Sequence, residues 1–143
     1  MTSRQALHDA ERIRVAMGQF VRKLRAVDTT PAGQAAVLGY LARSGPLSIT
    51  DLAELVRVRH QSMARTVKLL EAAGHAEVQP DPADRRRVLV LITREGTTRL
   101  RAERLSRASW IARAMHSQLD DSERDLLRQL PAILDKLTAD DGS

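Results

Sequence analysis

Between Ser48 and Ile92 the apolar spacing changes once, and that change leaves the chain few folds to choose from. "LSITDLAELV" and "QSMARTVKLLEAAG" place apolar residues three and four apart, the spacing of two short helices, with "RVRH" as the break between them. The second stretch ends on Gly74, a usual helix terminator. Beyond it, "HAEVQ" and "VLVLI" read as strands joined by the turn-rich "PDPADRRR". Two short helices a few residues apart, followed at once by a hairpin, predict a helix-turn-helix with a β-hairpin beside it.

The flanks are helical. Ala10, Ile13, Met17, Phe20, Val21, Leu24 and Val27 form one stripe, and Arg12, Arg14, Arg22, Lys23 and Arg25 stand off it. "DTTP" breaks this helix and opens a second, with Thr30 expected as N-cap and Pro31 at the first helical position, ending at Gly45-Pro46. Ser48, three residues before Asp51, has capping spacing for the third helix. Thr93 is expected to cap a long helix striped by Ala108, Ile111, Met115 and Leu119. Asp120 and Glu123 then open a final helix whose Leu127, Leu130, Leu134 and Leu137 form a packing seam. Pro131, off that seam, predicts a kink or a brief break, and the terminal "TADDGS" reads as frayed.

Composition removes several kinds of chemistry. Aromatics make up 2% of the 143 residues, so the core must be aliphatic, and a large aromatic-lined pocket within one subunit is not expected. Absence of cysteine excludes disulfides, zinc-thiolate sites and thiol sensing. His8, His60, His75 and His116 lie far apart, with no i, i+4 pair, so no metal site is expected. Nucleophile–base pairs, paired carboxylates and Gly-rich phosphate loops are equally lacking, which argues against an enzyme and against a cofactor. The N-terminus is polar and no apolar run approaches a membrane span, so a cytoplasmic protein is expected. A net charge of +5 favours polyanions as partners.

Two clusters of side chains give that preference a form. On a wheel of residues 61–73, Met63, Thr66, Val67 and Leu70 share one side; Gln61, Arg65 and Lys68 share the other, with Ser62 on its flank. Gln and Arg suit two-point hydrogen bonds to base edges, whereas Lys and Ser suit phosphates. On an isolated helix this would be a solvated polar face; on the second helix of a helix-turn-helix it reads as a DNA-reading surface. At the hairpin tip, Arg85, Arg86 and Arg87 are held by the "VLVLI" strand and by Pro80 and Pro82, which reduces the entropy lost on docking. Arginine, planar and weakly hydrated, is the cation best suited to a narrow minor groove. Asp84 is expected to pair with a neighbouring arginine and hold it in one orientation.

The run from Ser48 to Gly96 resembles the winged helix-turn-helix of the MarR family of bacterial transcription regulators, most specifically in "DPADRRRVLVLITREG". The resemblance implies a mainly α fold with a small β-hairpin wing, residues 31–93 forming the DNA-binding lobe and residues 4–27 and 94–138 the dimerisation helices. It implies a homodimer on a pseudo-palindromic operator in double-stranded DNA, a repressor released from that operator by a small-molecule effector. Arg86 would enter the minor groove, Asp84 would orient it, and Arg85 and Arg87 would lie near phosphate. Gln61, Ser62, Arg65 and Lys68 would belong to the recognition helix, with Arg59 and His60 at its entry. Arg59 occupies the N-cap position, where Ser or Asp is usual. Effectors of such proteins bind between the dimer helices and the winged lobe, which makes Phe20, Tyr40, Trp110, Arg113 and His116 candidate lining residues. Two other functions fit the same charges: a non-specific architectural DNA-binding protein and a small module for anionic metabolites.

Overall fold

The computed structural model describes residues 2–139, so most of the segment expected to fray lies outside the described residues. The elements run α1 (Ser3–Arg25), α2 (Ala32–Ser44), β1 (Leu47–Ser48), α3 (Ile49–Val56), α4 (His60–Ala72), β2 (Ala76–Pro80), β3 (Val88–Ile92), α5 (Arg94–Gln118) and α6 (Asp121–Thr138). The protein is mainly helical with a small antiparallel sheet, the winged-helix architecture expected. Its contacts group into two compact units, Met1–Arg107 and Ala108–Ser143. Among the described residues no helix is long and apolar enough to cross a membrane.

The core of the first unit follows from helical spacing. Val37, Leu38 and Leu41 of α2, Leu52 and Ala53 of α3, and Met63, Val67 and Leu70 of α4 are buried together with Ala76, Val90 and Leu100. Val90 lies on the central strand, because the sheet order is β1-β3-β2: Leu47 pairs with Val90 on one side and Val78 pairs with Val90 on the other. The two-residue β1 was not legible in the sequence, where Ser48 read only as a helix cap. It is both, since its hydroxyl also accepts the Asp51 N–H at 3.0 Å.

Several caps behave as expected. The Thr93 hydroxyl donates to the Gly74 carbonyl at 2.6 Å and accepts the Gly96 N–H at 3.0 Å, tying the start of α5 to the end of α4. Asp120 and Glu123 complete a reciprocal capping box on α6. Two expectations need correction. Thr30 does not cap α2: Pro31 takes the N-cap position without a side-chain bond, and the Thr30 hydroxyl is drawn instead to Glu103 and Arg99. Of the kink or brief break expected at Pro131, the break does not occur: α6 is continuous through it.

Gly96 is fixed by proximity. A Cβ there would lie 2.1 Å from the His75 carbonyl oxygen and 2.9 Å from Ile92 Cγ1, so α5 can begin where it does only over a bare Cα. Gly96→Ala is expected to cost about 1–3 kcal/mol, measured as a lower urea midpoint at unchanged slope. An unaltered midpoint would mean that α5 can shift off His75 freely.

Candidate nucleic-acid interface

The helix-turn-helix is built from α3 and α4. Arg57, at φ 60°, takes the left-handed conformation that ends α3, and the chain re-enters a helix at His60. Arg59 supplies no side-chain cap to α4, so the first N–H groups of that helix keep their partial positive charge at the surface. With Met63, Val67 and Leu70 buried, the opposite side of α4 faces solvent, and Gln61, Ser62, Arg65 and Lys68 are all exposed there, as are Arg59 and His60.

The wing tip is organised by its aspartates through the backbone. The Asp81 carboxylate accepts the Ala83 N–H at 2.8 Å and the Asp84 carboxylate accepts the Arg86 N–H at 3.0 Å. The Arg87 N–H donates to the Asp84 carbonyl, and the Asp81 N–H to the Arg87 carbonyl, both at 3.0 Å. This corrects the role expected of Asp84: it shapes the turn that presents Arg86 and forms no ion pair with an arginine side chain among the described residues. Arg85 and Arg86 are exposed and carry no acidic partner among the described residues; Arg87 is bound to Ser48 and Asp51. Wing and helices meet in a cleft of about 200 Å³ lined by Ser48, Ile49, Thr50, His60, Arg86, Arg87 and Val88. The structure thus brings together Arg86, Arg87 and His60; Thr50, also in that cleft, was not singled out by sequence.

The candidate effector residues fall in both units, Phe20 and Tyr40 in the first and Trp110, Arg113 and His116 in the second. Tyr40 lines a cavity of about 460 Å³ in the first unit, with its ring under the Arg43 guanidinium at 4.9 Å. Phe20 lies exposed on α1 and does not line that cavity. Within the second unit Arg113 and His116 line a shallow depression, which Trp110 does not line. The cavity at Tyr40 is instead dominated by charges not expected at such a site: Arg25, Arg43, Arg104 and Arg107, with Asp28 and Glu103. The available signal was the series Arg99, Glu103 and Arg107, four residues apart on α5.

That series holds the α1–α2 linker. Glu103 is buried and accepts the N–H and hydroxyl groups of both Thr29 and Thr30, at 2.7–3.1 Å to Oε1. Arg99 donates to both threonine hydroxyls at 2.6 and 2.7 Å, and Arg107 grips Asp28 through two bonds of 2.7 and 2.8 Å. Burial alone would raise the Glu103 carboxyl, but the threonine donors outweigh it and hold its pKa down at about 2. The bond to Asp28 raises the Arg107 pKa further. Among the described residues no cluster of His, Cys, Asp or Glu could hold a metal ion.

A three-stranded winged lobe with an exposed cationic tip beside an exposed polar second helix defines a winged helix-turn-helix DNA-binding protein. A family-wide sequence profile described as "MarR family" matches residues 27–87. Over 101 residues the chain is 37% identical to an uncharacterized HTH-type transcriptional regulator of Mycobacterium bovis, covering 71% of this chain and 70% of that protein. Its structure is similar to that of a protein assigned as a transcriptional regulator in Pseudomonas aeruginosa PA01, with a TM-score of 0.83 and 31% identity over 96% of this chain and 99% of the other. It is also similar to Bordetella bronchiseptica BpsR, whose DNA binding is regulated by 6-hydroxynicotinic acid, with a TM-score of 0.57 and 26% identity over 92% and 94% of the two chains. The chain belongs to the MarR family of transcription regulators, DNA-binding proteins rather than enzymes.

Proposed function

We propose that this regulator works as a homodimer on a pseudo-palindromic operator, with residues 31–93 as the DNA-binding lobe and residues 4–27 and 94–138 as the pairing helices. The observation that carries the reading is the cleft shared by His60, at the start of α4, and Arg86, on the wing: helix and tip open onto one face. On that reading α4 enters a major groove, with Gln61 and Arg65 at base edges. Arg59, His60, Ser62, Lys68 and Arg85 lie near phosphates, and Arg86 enters the adjoining minor groove on the turn set by Asp84. Two-fold symmetry then requires half-sites one helical turn, or roughly 34 Å, apart.

Pairing is supported by apolar side chains left in water. Ile13, Met17, Phe20 and Val21 are exposed on α1, and Leu126, Leu130, Ile133 and Leu137 on α6. Contiguous apolar surface of this kind marks an interaction site, and a second copy supplies a matching surface by symmetry. Occupancy of the operator by two lobes would exclude other proteins from that stretch of duplex, the simplest form of repression.

Arg86→Ala is the direct test. Operator affinity is expected to fall by about 1–3 kcal/mol, and the salt dependence to flatten by about one phosphate contact. Unchanged binding would remove the wing from the interface. Competition between an operator selected from the source genome and a random duplex separates this reading from an architectural DNA-binding protein, for which the specificity ratio is near one.

The arginine-lined cavity beside Tyr40 supports release by a small anionic effector. The compound acting on BpsR is an aromatic acid, and that chemistry suits a guanidinium-rich cavity with one aromatic wall. Titrating 6-hydroxynicotinic acid and related aromatic acids into the protein–operator complex is expected to release DNA, and Arg104→Ala to blunt the release. Equal release from the variant would place the effector elsewhere.

A further inference from the structure

Arg85, Arg86 and Arg87 are identical in chemistry and adjacent in sequence, yet their surroundings differ. Only Arg87 is anchored at both backbone and side chain. Its N–H and carbonyl close the wing tip onto Asp84 and Asp81, each at 3.0 Å. Its Nη2 donates to the Ser48 hydroxyl at 2.8 Å and to the Asp51 carboxylate at 3.2 Å. Ser48 is buried, pairs with Leu89 in the sheet, and caps α3 through the Asp51 N–H. One hydroxyl therefore joins the sheet, the helix-turn-helix and the base of the wing.

We infer that Arg87 is a positioning residue: it clamps the base of the wing to the N-terminus of α3 and so sets the angle at which Arg86 is presented, instead of contacting a DNA phosphate. The inference rests on the reading of the wing as a DNA contact. Asp51 neutralises the Arg87 charge locally, so an approaching phosphate meets an ion pair and not a free cation. Both side chains are 46% exposed, and a pair that exposed adds little to folding stability. Its effect falls on the alignment of two surfaces that must meet DNA together.

The test compares Arg87→Lys, Arg87→Gln, Asp51→Asn and Arg86→Ala on an operator fragment selected from the source genome and on a random duplex of equal length, across a range of salt. Thermal melting checks that each variant is folded. Asp51→Asn removes a negative charge next to DNA and by simple electrostatics should tighten binding. Positioning predicts the reverse: about a threefold to fivefold loss of operator affinity, in proportion to an exposed pair, with the random duplex bound no more weakly. Arg87→Lys keeps the charge but not the planar fork, and should show the same loss. Arg87→Gln should leave the salt slope unchanged, and combining it with Asp51→Asn should add nothing further.

A phosphate contact gives the opposite pattern: Asp51→Asn strengthens both complexes, Arg87→Lys keeps operator affinity, and Arg87→Gln flattens the salt slope by about one contact. That pattern overturns the inference while Arg86→Ala still weakens binding. If Arg86→Ala has no effect either, the wing is not at the DNA, and the inference falls together with the reading beneath it.

Discussion

Glu103→Ala is expected to lower folding stability by about 3–5 kcal/mol, the range for breaking a buried ionic network by removing one partner. The size follows from what the carboxylate holds. Four donors from Thr29 and Thr30 converge on it, and Arg99 lies 3.4 Å away. An alanine would leave the backbone N–H groups of Thr29 and Thr30 without their acceptor at a helix entry, and Thr30 is buried. The same carboxylate predicts an acid limb. Its folded pKa is about 2, below the ordinary 4.5 that it regains on unfolding. Its contribution is therefore complete above pH 4.5 and is lost as pH falls from there towards 2, about 3 kcal/mol in all. Glu103→Gln should be less stable at neutral pH and should lose less on acidification. Urea titrations at pH 5.5 and pH 3 check this; parallel losses in both proteins would show that another carboxylate governs acid unfolding.

If the chain pairs as proposed, placing aspartate at both Leu130 and Leu134 is expected to yield monomers and to reduce operator affinity at least tenfold. Leu130 is 40% exposed within one chain and Leu134 is half-buried, so much of the seam is open before pairing. Two carboxylates placed in a paired seam would each need desolvation without a partner, a penalty of several kcal/mol per subunit. In a monomer Leu130 is exposed and Leu134 half-buried, so the substitutions cost less than in a paired seam, and thermal melting checks that the chain remains folded. Loss of pairing also removes the second half-site from the reach of the first, which accounts for the weaker binding. Light scattering separates the outcomes. A dimer that persists would assign the seam to packing within the subunit.

What could be read in the sequence was local. The Ser48–Asp51 cap, the Asp120–Glu123 box and the Thr93 cap all depend on residues three apart, and each forms as read. The burial of Met63, Val67 and Leu70 followed from one helical period. What escaped depends on partners distant along the chain. Thr30 has a good N-cap side chain, but Glu103, 73 residues later, offers its hydroxyl and N–H a charged acceptor, and that competes successfully with the helix end. Three arginines follow Asp84 and suggest a side-chain partner, whereas the turn gives its carboxylate the Arg86 backbone N–H. Aromatic residues alone do not mark the cavity, which is lined by arginines on three different helices, a convergence that periodicity does not encode.

The short β1 strand has a mechanical consequence. Because Leu47 and Ser48 pair with the inner strand of the wing and lead straight into α3, hairpin and helices share one hinge-free junction. No connecting residue lies between the strand paired to the wing and the first turn of α3. On the proposed reading, an effector would therefore have to shift the inner wing strand and α3 together, since the residues that join them leave no spacer to absorb the movement.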